Sequence, residues 1–141
     1  MNGDQMISRK LVILGRRIRH KRNLFVGQLE LTSEQADALR FFEDFPRSTI
    51  TDFKDHQQVT HQTARMIVKR LVNRHLLRLD PNPNDGRAKL VAFTAAGLAK
   101  CQQLDAHIED TSQALFTDFT PTEQQELLAM LDRVGQNLER N

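Results

Sequence analysis

Apolar residues recur along most of this 141-residue chain at the three-and-four spacing of amphipathic helices, and gather once into short strand-like runs. Ile7, Leu11, Leu14 and Ile18 form one stripe in a first long helix predicted over residues 6–29. Leu31, Thr32 and Gln35 make a helix start in which Thr32 caps, Gln35 closes a capping box and Leu31 is a hydrophobic staple. That second helix is predicted to reach about Asp44, with Leu39 and Phe42 inward, and Pro46 ends it. A short third helix is capped by Thr49, with Ile50 and Phe53 inward. Residues 59–75 follow as a fourth helix, its stripe made of Ala64, Ile67, Val68 and Leu71.

Two apolar-rich runs, 76–80 and 88–93, then bracket a loop of prolines, asparagines and Asp85-Gly86-Arg87. This predicts a β-hairpin with a long tip, stiffened by Pro81 and Pro83, with Gly86 free to take positive φ at the bend. Thr94 caps a fifth helix running to about Phe116, on which Leu98, Cys101, Leu104, Ile108 and Leu115 lie near one another. Thr120, Pro121 and Glu123 open the last helix, where Leu127, Leu131, Val134 and Leu138 repeat. The fold class expected is mainly α with one small β-hairpin: a helix-turn-helix followed by a wing, flanked by long terminal helices. Within it, 31–94 form the winged helix-turn-helix, and 1–30 with 95–141 supply the flanking helices. Their stripes find no obvious partner in so small a domain, and burial against a second copy is the economical solution. The dimerisation residues expected are Leu11, Leu14, Leu104, Ile108, Leu115, Leu127, Leu131 and Leu138.

Net charge, only +2, hides a strong segregation. Residues 1–22 hold seven basic side chains and one acid, and 59–100 hold eight and two; acids dominate 23–58 and 101–141. Positive charge is thus concentrated at the fourth helix, the hairpin and the N-terminus, the footprint expected of a polyanion partner. The fourth helix carries Arg65, Lys69, Arg70 and Arg74 and no acid. With Thr60 as cap, its exposed tip presents His61, Gln62 and Thr63, and Thr60 is expected to bind DNA with them. An apolar back, polar tip and basic flanks suit a DNA major groove, the tip meeting base edges and Arg65 and Lys69 meeting bases or phosphates. Met66 is placed to touch a thymine methyl. On the hairpin, Arg87 suits the minor groove, Lys89 lies at its base, and Asp85 is expected to orient the Arg87 guanidinium by a bidentate pair. Two other readings stand beside this one: a solvated basic helix with snorkelling side chains, and a winged-helix module docking an acidic protein. The run from Arg16 to Arg22 reads as a solvated face of the first helix.

Catalytic and metal chemistry find no support. The histidines lack metal-ligand spacing, there is no phosphate-cradling glycine loop or nucleophile elbow, and the carboxylates are scattered. The single Cys101 lies on an apolar stripe and reads as a buried inert thiol. No apolar run is long enough for a membrane span and no signal-peptide pattern appears, so a cytoplasmic protein is expected, without a membrane partner.

These residues together resemble the MarR (multiple antibiotic resistance regulator) family of winged-helix transcriptional regulators, over nearly the whole chain. The most specific part is the wing motif, Asp85-Gly86-Arg87 followed by five residues, Phe93 and Thr94. Leu31-Thr32 with Gln35, and the stretch 59–71, resemble the family's second helix start and recognition helix. The resemblance implies a homodimer held by the first and last two helices, bound to a palindromic double-stranded DNA operator and usually repressing transcription. It implies no cofactor, but a small effector, phenolic or otherwise aromatic, entering a cleft between the dimerisation and reading regions. The sequence departs from the pattern at Phe93, usually aliphatic, at Lys54, usually small and apolar, and at Gln58 and His75, usually glycine. Gln58 and His75 are therefore expected to face a left-handed backbone. The first helix has no cysteine of the redox-sensing kind.

Overall fold

The computed structural model describes residues 1–140, in the order α1 (Gly3–Gln28), α2 (Ser33–Asp44), α3 (Ile50–Gln57), α4 (His61–Asn73), β1 (Leu77–Asp80), β2 (Leu90–Phe93), α5 (Ala95–Leu115) and α6 (Pro121–Arg140). The chain divides into two compact units, residues 1–105 and residue 106 onward.

In the first unit, each helix start is written in side chains. Thr32 Oγ1 accepts from Gln35 N at 3.1 Å while Gln35 Oε1 accepts from Thr32 N at 3.2 Å. Thr49 and Asp52 repeat this box at α3. Asn2 and Gln5 make a third, which starts α1 at Gly3 rather than at Met6 as the apolar stripe alone suggests. The core lies between α2, α3 and α4. Phe41, Phe42 and Phe53 bring their rings within 5.5 Å, and Leu39, Ala64, Ile67, Val68 and Leu71 close around them. Leu76, Leu77 and Val91 extend this core under the hairpin, and Cys101 and Leu104 cover it from α5. The inward stripe expected for α4 is buried, as are Leu39, Phe42 and Phe53, whereas Ile50 is only half-buried.

β1 and β2 are antiparallel, with Leu77 opposite Phe93 and Asp80 opposite Leu90. Val91 N donates to Ser48 O at 2.9 Å, tying the hairpin to the residues just before α3. At its other end Thr94 Oγ1 donates to His75 O at 2.6 Å and Thr94 N to Leu76 O at 3.2 Å. The wing is therefore fixed to both sides of the helix-turn-helix.

Gln58 ends α3 at φ 56°, ψ 45°, and His75 follows α4 at φ 61°, both in the left-handed region as expected. Each supports a helix-ending loop: Val59 N reaches back to Lys54 O at 3.3 Å, and Leu76 N to Leu71 O at 3.0 Å. A side chain there costs roughly 1–2 kcal/mol, only part of which glycine forfeits through unfolded-state freedom. Gln58→Gly and His75→Gly are each expected to raise stability by about 0.5–1 kcal/mol, read as a higher urea midpoint at unchanged slope.

In the second unit, Thr120 and Glu123 form the capping box that opens α6, with Glu123 N to Thr120 Oγ1 at 3.1 Å. The turn before it is closed by Phe119 N donating to Phe116 O and by their edge-on rings, 5.6 Å apart. α6 buries no residue, and Leu128, Met130, Leu131, Val134 and Leu138 are exposed along it. In the first unit, Ile7, Leu11, Leu14 and Ile18 of α1 are likewise exposed. No helix is long and apolar enough to cross a membrane among the described residues.

Candidate nucleic-acid interface

α4 is presented by its own cap. Thr60 Oγ1 accepts from Thr63 N at 3.1 Å and donates to Thr63 Oγ1 at 2.9 Å. Both hydroxyls predicted to read DNA are thus engaged in starting the helix, and Thr63 is half-buried. The remaining tip and outer-face positions, His61, Gln62, Arg65, Met66 and Lys69, are all exposed, Met66 by 46%. α1, α2, α3 and α6 each hold an acid in their first turn, whereas α4 and α5 hold none. The positive end of the α4 dipole therefore meets no acid in its own first turn.

Several cations of the sequence-defined basic stretches turn out to serve the fold. Arg74 Nη1 donates to Glu30 O at 2.6 Å and to Gln35 Oε1 at 3.1 Å, pinning the end of α4 to the α1–α2 corner. Arg22, last of the basic run in α1, pairs with the Asp37 carboxylate, which also accepts from Gln57 Nε2 at 3.2 Å. On the hairpin, Arg78 donates to Asp80 Oδ1 and to Phe93 O, and is occupied within the sheet.

The wing tip is built differently from expectation. Asp85 Oδ1 accepts from the backbone N of Arg87 at 2.9 Å, and Asn82 Oδ1 accepts likewise from Asn84 N at 3.0 Å. Two successive turns closed by side chains fold the tip. Asp85 therefore shapes the backbone that carries Arg87 instead of pairing with its guanidinium, and Gly86 does not take positive φ. The physical reason is distance along the chain: two residues suit a carboxylate-to-amide bond, and once that bond closes the turn no left-handed residue is required. Arg87 and Lys89 are both exposed.

Wing and helix tip then meet across a groove of about 320 Å³, lined by Thr49, Ile50, Thr51, His61, Arg65, Leu79, Arg87, Ala88 and Lys89. Three cations and an imidazole, from two elements, converge on it with no acid in the lining. A larger groove of about 760 Å³ continues along the outer face of α4, past Gln62, Met66 and Lys69. Sequence reasoning found the cations but missed the third wall, the start of α3, because Ile50 read as core and Thr51 carried no signal. Of the expected dimerisation residues, Leu11, Leu14, Leu115, Leu131 and Leu138 are exposed, and Leu127 and Ile108 are half-buried. Leu104 is only 3% exposed and belongs to the core of the first unit. Cys101 is 1% exposed beside it, its Sγ 3.6 Å from Leu39 O. Burial first, then the nearby Glu43 and Asp105 carboxylates, push its thiol up to about 12, so it stays protonated and unreactive at neutral pH.

The profile of the MarR family matches residues 29–88. The HTH-type transcriptional repressor IacR of Pseudomonas putida is 30% identical over 92 residues, which are 65% of this chain and 55% of that protein. The chain thus spans about half the length of that relative. A cysteine-to-serine mutant of MarR from E. coli, crystallised in complex with operator DNA, is 26% identical over 91% of this chain and 92% of its own, with a TM-score of 0.73. The chain is similar to proteins of the MarR family. In the terms of that fold, α4 stands where the recognition helix does, and β1–β2 form the wing of a MarR-like winged helix-turn-helix with N- and C-terminal helices. The Staphylococcus aureus MarR in complex with salicylate and kanamycin shares the MarR fold at a TM-score of 0.85 and 16% identity, over 98% of this chain and 93% of its own.

Proposed function

We propose that this protein is a sequence-specific, double-stranded-DNA-binding transcriptional repressor of the MarR family, acting in the cytoplasm as a homodimer on a pseudo-palindromic operator. The observation that carries the reading is the acid-free groove between recognition helix and wing, rimmed by His61, Arg65, Arg87 and Lys89. A helix tip free of acids suits the major groove, and a thin cationic hairpin beside it suits the adjoining minor groove. The E. coli relative bound to operator DNA and the repressor from Pseudomonas putida support the same reading. Gln62 and Met66 read bases, Arg65 and Lys69 contact bases or phosphates, and Arg87 enters the minor groove.

The division of labour assigns 31–94 to reading DNA and 1–30 with 95–141 to dimerisation. The exposed apolar rows on α1 and α6, each long enough for several helical turns, support burial against a second copy. A small effector, phenolic or otherwise aromatic, is proposed by analogy with the salicylate-bound relative. Selection of random duplexes on the purified protein is expected to enrich an inverted repeat with half-sites about one helical turn, roughly 34 Å, apart. Enrichment of nothing, with capture of acidic proteins instead, would establish the alternative of a protein-docking module. Enrichment of a single unrepeated half-site would reject the dimer.

A further inference from the structure

Adjacent grooves of B-DNA are separated by a single phosphodiester strand. If α4 enters a major groove and Arg87 the minor groove beside it, that strand must run through the space between them. This step rests on the DNA-binding reading above. The space is the 320 Å³ groove, and His61 stands in its wall at the first position of α4. We propose that His61 contacts a backbone phosphate as imidazolium, making operator affinity depend on pH, and leaves base reading to Gln62.

Every charged group facing His61 across the two adjoining grooves is cationic: Arg65 and Lys69 from α4, and Arg87 and Lys89 from the wing. From α3 the facing residues are Thr49, Ile50 and Thr51, which bring no charge. Asp52, next to Thr51 of this rim in the chain, is turned back onto Thr49 N at 2.9 Å, and Asp80, next to Leu79, is engaged by Arg78 at 3.1 Å. The lining of the two grooves therefore offers the imidazolium no carboxylate, and the strand's phosphates supply its anionic partner. Histidine is the side chain that ordinarily changes charge between pH 5 and 8. A neutral imidazole offers a phosphate at most one weak donor, whereas the imidazolium makes a charge-assisted bond. Binding thus takes up a proton, and affinity rises as pH falls through that window.

The test uses the full chain and a duplex obtained by the selection above, titrated at pH 6 and pH 8 at constant ionic strength. The wild-type protein is expected to bind about fivefold more tightly at pH 6. His61→Gln is expected to bind at both pH values as the wild type does at pH 8. His61→Arg, a permanent cation, is expected to hold the tighter affinity at both. The His61 side chain is exposed and makes no hydrogen bond among the described residues, and folding of the variants is checked by circular dichroism. An equal pH ratio in the wild type and His61→Gln overturns the proposal while leaving the DNA-binding reading intact. Failure of all three proteins to bind any duplex overturns that reading, and the proposal with it.

Discussion

Replacing Gly97 with alanine is expected to destabilise the protein by about 3 kcal/mol, the largest loss for alanine at any of its six glycines, since a Cβ at the other five meets nothing within 4 Å. A Cβ built on Gly97 meets Leu76 O at 1.8 Å and the Leu76 carbonyl carbon at 2.8 Å. The obstacle is backbone, so no side-chain rotation relieves it. Nor can the two segments simply separate. Leu76 O already accepts from Thr94 N, Gly97 N donates to Thr94 Oγ1 at 3.0 Å, and Thr94 Oγ1 donates to His75 O. These bonds hold the first turn of α5 against the loop that ends α4. Relief of the clash requires α5 to move away from that loop, breaking the bonds and opening the core around Leu76, Leu77 and Cys101. Urea denaturation of Gly97→Ala should show a midpoint lowered by more than 1 M, since the slope for a small protein is typically ~1–3 kcal/mol/M. A loss below about 1 kcal/mol would show that α5 is not held as tightly as these bonds imply.

That glycine carries no mark in the sequence, and the contrast with what was legible is instructive. Helix starts were readable because a cap is local: Thr32 with Gln35, Thr49, Thr60 and Thr120 with Glu123 each speak to groups three residues away. The left-handed residues Gln58 and His75 were readable because the family pattern places glycine there, and a backbone requirement outlasts the residue that best satisfies it. The role of Arg74 was not legible, for the opposite reason. By composition it belongs with the other cations of the fourth helix, but its partners, Glu30 O and Gln35 Oε1, lie 44 and 39 residues away. Arg22 is similar, its carboxylate partner Asp37 being 15 residues distant. Charge density along a chain shows that a polyanion is attracted, but only the fold decides which cations remain to meet it. Leu104 makes the same point for apolar stripes: a helix long enough to serve two purposes shares one stripe between core and surface, and spacing does not mark the crossover.

Arg87→Ala is expected to weaken operator binding by roughly 1–3 kcal/mol, a factor of about five to 150, with no loss of fold stability. The side chain is exposed, and its backbone N–H, which closes the wing tip on Asp85 Oδ1, survives the substitution. The effect should therefore report the guanidinium alone. Because that group displaces counterions from the duplex, the variant should also show a shallower dependence of log affinity on log salt, by about one unit of slope. Asp85→Ala offers the complementary arm. Here the guanidinium remains, but the turn that aims it loses its acceptor. If the carboxylate works through the backbone, Asp85→Asn should retain binding, since an amide oxygen can accept from Arg87 N as a carboxylate does. Were Asp85 instead an ion-pair partner of Arg87, Asp85→Asn would lose affinity as Asp85→Ala does. Fluorescence anisotropy titrations of the four proteins on one duplex separate these outcomes, and unchanged affinity in Arg87→Ala would remove the wing from the DNA-binding surface.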